Sequence, residues 1–264
     1  MKLACRKQCR MSQKGIIIIT CINKNTNLNQ SVNDSNTDSI GFDCSILVRL
    51  MHLMSPSLPT GGFAYSQGLE WAVEAKWVKD DISLSGWLSD LLLYSVCLVD
   101  VPVLKRIYKA CCLDQRESAQ YWIQLLLAMR ETSELLFEEQ TRGRALAVII
   151  KDLELSGAEK WYKTISISQL AGYAFAASRW NIPIFELAHG YMWSWLENQV
   201  VTGIKLIPLG QTQGQKILFG LSHTLNAAVT KGFAVKDEDI GSTMPALAIG
   251  SCMHETQYTR LFRS

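Results

Sequence analysis

The placement of six prolines sets the strongest limit on how this chain can fold, because none of them interrupts a long periodic segment. Proline cannot donate to a helical ladder and its ring clashes with the preceding turn, so helices keep it in loops and first turns. Pro56 and Pro59 fall in a loop, Pro208 opens a turn, and Pro245 follows Ser242-Thr243. Pro102 comes two residues after Asp100 and Pro183 two after Asn181, each a good N-cap residue. Between these points the apolar residues recur at helical spacing. Trp122, Leu126, Met129, Leu136, Ala147 and Ile150 fall near one face, and Ile217, Leu221, Leu225 and Ala228 form a second stripe. Segment 184–206 is apolar nearly all round, which predicts a central helix buried on most sides. No alternating strand pattern competes. The expectation is an all-α bundle with helices near 44–54, 65–78, 84–97, 101–112, 117–152, 158–179, 183–206, 213–230 and 243–253, the longest breaking near Gly143.

Charge excludes a nucleic-acid surface. The chain carries a net +2, but residues 1–40 hold six Lys/Arg against two Asp, so the remainder is net −2. That basic start is also poor in aromatics and then rich in Asn, Ser and Thr. Its Ile16–Ile19 run is too short to span a membrane, and no small-residue cleavage site follows. Three readings stay open for residues 1–43: a disordered extension, an organelle-targeting peptide or a mis-assigned start. The helical domain is expected over 44–264. Eight cysteines lack any CxxC spacing, so they read as small buried hydrophobes in a reducing, cytoplasmic setting.

Enzymatic signatures are sparse. The chain has no GxxxxGK[ST], HExxH, GxSxG or GxGxxG. In the loop Ser55–Glu70, Pro59 fixes φ while Gly61 and Gly62 allow a sharp turn; Gly68 and Glu70 belong to the helix that follows. The glycine pair fits a structural turn or an anion cradle at a helix start. Pro208, Gly210, Gln211, Gly214 and Gln215 make a second turn, whose glutamines either bond exposed helix amides or face a partner. Glu131, Glu134, Glu138 and Glu139 share a helical side with Arg130, Arg142 and Arg144 close by, which predicts a solvated, salt-bridged face. The rival is acid–base chemistry by Glu138, Glu139 and a histidine. His189 reads as a core residue and His223 as a surface one. Four scattered histidines and the lone Cys252-x-His254 pair do not fill a metal site, so no metal or cofactor is expected.

The last eleven residues are unusual for a terminus. Tyr258, Leu261 and Phe262 alternate with Glu255, Arg260 and Arg263. Such a mixture suits a segment ordered by a docking partner, and equally a tail folded back on its own domain.

In this order the segments resemble the UreF family of urease accessory proteins. The resemblance rests on Ser57-Leu-Pro-Thr-Gly-Gly-Phe63, Tyr65-Ser-Gln-Gly-Leu-Glu70, Trp87-Leu88 and Asp100-Val-Pro102. It continues through Arg130-Glu-Thr132 with Glu138 and Gly143, Pro208-Leu-Gly-Gln211 with Gly214-Gln215, His254-Glu-Thr-Gln-Tyr258 and Arg260-Leu-Phe262. It covers residue 46 to the end. The resemblance implies a non-catalytic, dimeric all-α adaptor that binds UreD (UreH in some organisms) and recruits the GTPase UreG, delivering nickel to apo-urease and tuning GTP hydrolysis. It also implies a tail ordered by UreD/UreH, with His254, Glu255, Gln257, Tyr258, Arg260, Leu261 and Phe262 at or near the contact. The N-terminal extension and the extra charge of Arg142 depart from the compact bacterial pattern.

Overall fold

The computed structural model describes residues 44–264, and the extension read over residues 1–43 lies outside them. The regular structure of the described residues is helical, with no strand, as the proline pattern requires. Helix α1 spans Cys44–Met54, and after a 3₁₀ turn at Gly62–Ala64 α2 spans Leu69–Glu74. Helices α3 (Asp81–Leu91) and α4 (Val101–Cys112) are joined by a π-helical stretch, Leu92–Asp100, without a break. Then come α5 (Arg116–Ala128), α6 (Ser133–Asp152), α7 (Ala158–Ile165), α8 (Gln169–Arg179) and α9 (Ile184–Leu206). The series ends with α10 (Gln211–Ser222), α11 (Leu225–Ala234) and α12 (Pro245–His254).

Several boundaries differ from the sequence reading, each for a local reason. The segment 117–152 breaks at 129–132 rather than at Gly143, because Thr132 caps α6 by accepting from the Leu135 amide at 3.2 Å. Gly143 stays helical. Its missing side chain lets α8 close in, since a Cβ there would lie 2.7 Å from the Ser168 backbone. Ser168 caps α8 and splits 158–179, and a turn at His223-Thr224 splits 213–230. Helix α3 begins at Asp81, behind a capping box in which Asp80 accepts from the Ser83 amide at 2.8 Å.

Asp100 is not the expected N-cap. It has helical dihedrals, and its carboxylate turns into the core. The backbone passes Pro102 by widening instead: the Val101 amide donates to Val96 five residues back. Asn181 does not cap either. It takes a left-handed turn (φ 54°) after α8, and Pro183 precedes α9.

One contiguous apolar core joins α4, α8 and α9. Helix α8 is its most buried element, lined by Leu170, Tyr173 and Phe175 and packed against α4 and α6. Helix α9 touches most other helices, but it keeps Phe185, Trp193 and Val201 on an exposed side, so it is less enclosed than its composition suggested. The continuous helix Asp81–Cys112 is long and apolar enough to cross a membrane, yet 61% of its most apolar stretch is buried inside the fold. Cys97 and Cys111 are buried as expected, and burial pushes both thiols up. Cys44 and Cys252 instead lie exposed.

Candidate functional site

The glutamates of α6 face inward. Glu138 is 2% exposed and Glu139 1%, with Glu134 also buried, which overturns the solvated face read from the sequence. Apolar Phe137 and Val148 point outward in their place. Positions 134, 135, 138 and 139 lie on the inner side of the helix, and the cations that would make a surface lattice fold in with them. The cost of burying these charges is met by pairing and hydrogen bonds.

Two linked networks result. In the first, Arg130 bridges Glu139 and Asp100 at 2.9 Å each, and the Tyr191 hydroxyl donates to Asp100 at 2.6 Å. Ser168 donates to Glu139 at 2.6 Å, and Gln169 adds a contact at 3.3 Å. In the second, Arg142 donates to Glu138 at 2.8 Å, and the Gln67 amide donates to the same carboxylate at 3.1 and 3.2 Å. Trp195 donates to the Gln67 carbonyl at 2.9 Å. Arg144 is not part of this; it reaches only Thr141. Between the networks lies a cavity of about 30 Å³ lined by Gln67, Asp100, Arg130, Glu138, Glu139 and Tyr191, among others. Burial drives Glu138 up, and Arg142 and Gln67 do not cancel it. Burial acts the same way on Glu139, but there Arg130 and Ser168 outweigh it and hold the carboxyl below its usual range. Burial together with the Asp100 charge lifts the Tyr191 hydroxyl well above the phenol range.

Both family-motif loops are built into this architecture. Gly61 has φ 75°, and the Gly62 Cα packs on the Arg142 guanidinium, while Asn198 donates to the Gly62 carbonyl at 3.1 Å. The turn leads into a three-residue 3₁₀ helix. Pro59 and Phe63 lie on the surface. Gly68 has φ 76° and closes α2 onto α12, where a Cβ would meet the Ser251 amide at 2.9 Å. In the second turn Gly214 packs under Ile204, and Gln213 donates to Asp81. Pro208, Gly210, Gln211 and Gln215 are exposed.

The tail folds back over the α2–α12 junction. His254 is fully buried, with Nδ1 at 2.8 Å from Glu134 and Nε2 at 3.0 Å from Glu70. Glu70 also accepts from the Leu261 amide at 2.6 Å and the Phe262 amide at 2.9 Å. Arg263 donates its amide to the Ala64 carbonyl at 2.8 Å, and Ser66 donates to the main-chain oxygen of Ser264. Arg260 reaches Glu134 at 3.1 Å. Phe262 is buried under Lys205, whereas Leu261 is exposed and Tyr258 projects fully into solvent. Glu255 is exposed and accepts from Ser133, and Gln257 donates to the Thr259 carbonyl.

Residues 78–222 match the family model for UreF. A protein from Alcanivorax borkumensis named urease accessory protein UreF is 49% identical over 227 residues, covering 83% of this chain and 99% of the relative. Proteins of the same name from Pseudomonas putida and Alkalilimnicola ehrlichii are 47% and 43% identical, each across at least 82% of this chain and 95% of the relative. The chain belongs to the UreF family. It is thus a urease accessory protein by family, and the matched segment 78–222 contains α6 and all its carboxylates.

For a UreF-family chain the distribution of polar groups is informative. Glu138 and Glu139 line the cavity together, but the histidines do not join them. His254 sits on Glu70 and Glu134, His189 lies half-exposed on α9 with Nδ1 at 2.8 Å from the Phe185 carbonyl, and His52 and His223 are on the surface. His189 is therefore not the core residue expected. Among the described residues no three His, Cys, Asp or Glu side chains gather as a metal-binding group. The sequence reading paired Arg130 with the carboxylates but did not foresee its bridge to Asp100, nor the roles of Gln67, Tyr191 and Trp195. The Glu138–Arg142 pair was legible as an i,i+4 ion pair, although its burial was not.

Proposed function

We propose that this chain is a non-catalytic adaptor of urease maturation, working in the cytoplasm with UreD/UreH, UreG and apo-urease, without nucleic acid or membrane. Its tail supplies the UreD/UreH contact, and the assembled complex delivers nickel and adjusts GTP hydrolysis by UreG. One observation carries this reading: the tail backbone is pinned to Glu70 while Tyr258 and Leu261 face outward. A fixed backbone that exposes an aromatic and an aliphatic side chain lowers the ordering cost of binding. On α12 the exposed Ile249 and Met253, four residues apart, extend the apolar character toward the tail.

The chain also forms a homodimer in this reading. Helices α1 and α9 pack together where Leu50 and Met54 meet Gly190, and both leave apolar groups outward: Leu47, Val48 and Met51 on α1, Phe185 and Trp193 on α9. A second copy covering that face would bury them.

The test is co-expression of the full chain with UreD/UreH and UreG from the same organism. A soluble complex containing all three is expected. Failure of the chain to co-purify with UreD/UreH would remove the basis of the adaptor reading.

A further inference from the structure

The cavity beside α6 gathers more negative charge than its neighbours balance. Asp100, Glu138 and Glu139 line it with a single cation, Arg130, and Arg142, which pairs with Glu138, adds one more. Three carboxylates against two guanidinium groups leave one negative charge in excess. Asp100 is 3% exposed and the two glutamates less, so water screens that charge poorly. An uncompensated charge in such a place is costly, and it draws in either a proton or a counter-ion.

Hydrogen-bond acceptors are in excess there too. Gln169 lines the cavity and is 4% exposed; its amide nitrogen is spent on Glu139, and its Oε1 has no donor. Asp100 Oδ1 has the Arg130 charge at 2.9 Å but no aligned donor. The donors in reach are committed: Tyr191 to Asp100 Oδ2, Gln67 and Arg142 to Glu138, Ser168 and Arg130 to Glu139. A cavity of about 30 Å³ admits a guest of water's size, for which about 10–15 Å³ suffices. A metal ion fits poorly, because among the described residues no three carboxylate, thiol or imidazole groups converge as its ligands. The geometry points to a site for the ammonium ion between Asp100, Glu138, Glu139 and Gln169. A water-sized cation with four N–H donors meets the spare acceptors and cancels the excess charge together. Water does only the first, and a proton on Glu138 only the second. The bound ion ties the π-helical stretch to α6 and α8.

Thermal unfolding of the full chain near neutral pH tests this, in ammonium, potassium, sodium and tetramethylammonium chlorides at one ionic strength. Ammonium should raise the melting temperature by a few degrees over tetramethylammonium, which is too large to enter, and the rise should grow with the logarithm of its concentration. Glu138→Gln removes the excess charge and keeps the shape, so it should abolish the difference between the salts. With the unaltered protein, ¹⁵N-ammonium should give a bound proton resonance distinct from the free ion, with NOEs to the Tyr191 ring. Equal melting in ammonium and tetramethylammonium, or no bound resonance, overturns the proposal and leaves water or a proton in the site. An equal rise in sodium or potassium overturns it as well, since charge without hydrogen bonding would then suffice. So does an ammonium effect that survives intact in Glu138→Gln. The resonance is read without any substitution, so it stands even if Glu138→Gln folds poorly.

Discussion

Glu138 and Glu139 are adjacent in sequence and equally buried, yet their carboxyls are driven in opposite directions. Burial dominates at Glu138 and raises it, while Arg130 and Ser168 overcome burial at Glu139 and lower it. A group whose folded value is raised contributes stability that is present below its unfolded value, about 4.3 for Glu, and lost as pH rises through the folded one. A depressed group does the reverse, losing its contribution as pH falls through the folded value. Urea unfolding from about pH 2.5 to about pH 7 should therefore separate two variants. The stability deficit of Glu138→Gln should shrink with rising pH, and that of Glu139→Gln should grow. Parallel curves would mean that the two carboxyls share one environment.

Arg130 holds two buried anions, Asp100 and Glu139. Arg130→Met keeps the aliphatic volume but leaves both carboxylates without their cation, at a cost of about 3–5 kcal/mol. Thermal unfolding checks this, and a loss under about 1 kcal/mol would show the pair behaving like an exposed one.

Gly143 decides between two effects of known size. In an open helix Gly→Ala gains about 1 kcal/mol from propensity. Here the new Cβ would lie 2.7 Å from Ser168 backbone atoms, which cannot rotate away. Forced separation of α6 and α8 costs about 1–3 kcal/mol, so Gly143→Ala should destabilise overall. A higher melting temperature for this variant would contradict the crossing geometry.

How far the sequence could be read follows from which forces are local. Proline positions and apolar periodicity are local, and they locate almost every helix. The breaks at Thr132 and Ser168 were harder, because both residues are ambiguous between cap and interior until the packing of Gly143 on Ser168 is known. The face of α6 was misread for a related reason. A Glu/Arg-rich helix looks solvated when its cations are counted only along the helix. The partners that bury Glu138, Glu139 and Glu134 include Gln67, Ser168 and His254, which α6 meets only through tertiary contacts. Asp100 was misassigned because capping rules presume a helix start, and here the helix runs through Pro102 by way of a π-helical stretch.

The tail divides into an inner and an outer set. Phe262 is 6% exposed and Tyr258 103%, although only three residues separate them. Phe262→Ala should lower stability by about 3 kcal/mol, whereas Tyr258→Ala should change it by less than about 0.5 kcal/mol.

That division makes Tyr258 the natural probe of the UreD/UreH contact. The deciding measurement is calorimetric titration of the isolated full chain with purified UreD/UreH, comparing it with the Tyr258→Ala and Leu261→Ala variants. Each variant should keep a normal melting temperature and lose about 1–3 kcal/mol of affinity. Unchanged affinity for both would contradict this and place the partner contact elsewhere on the molecule.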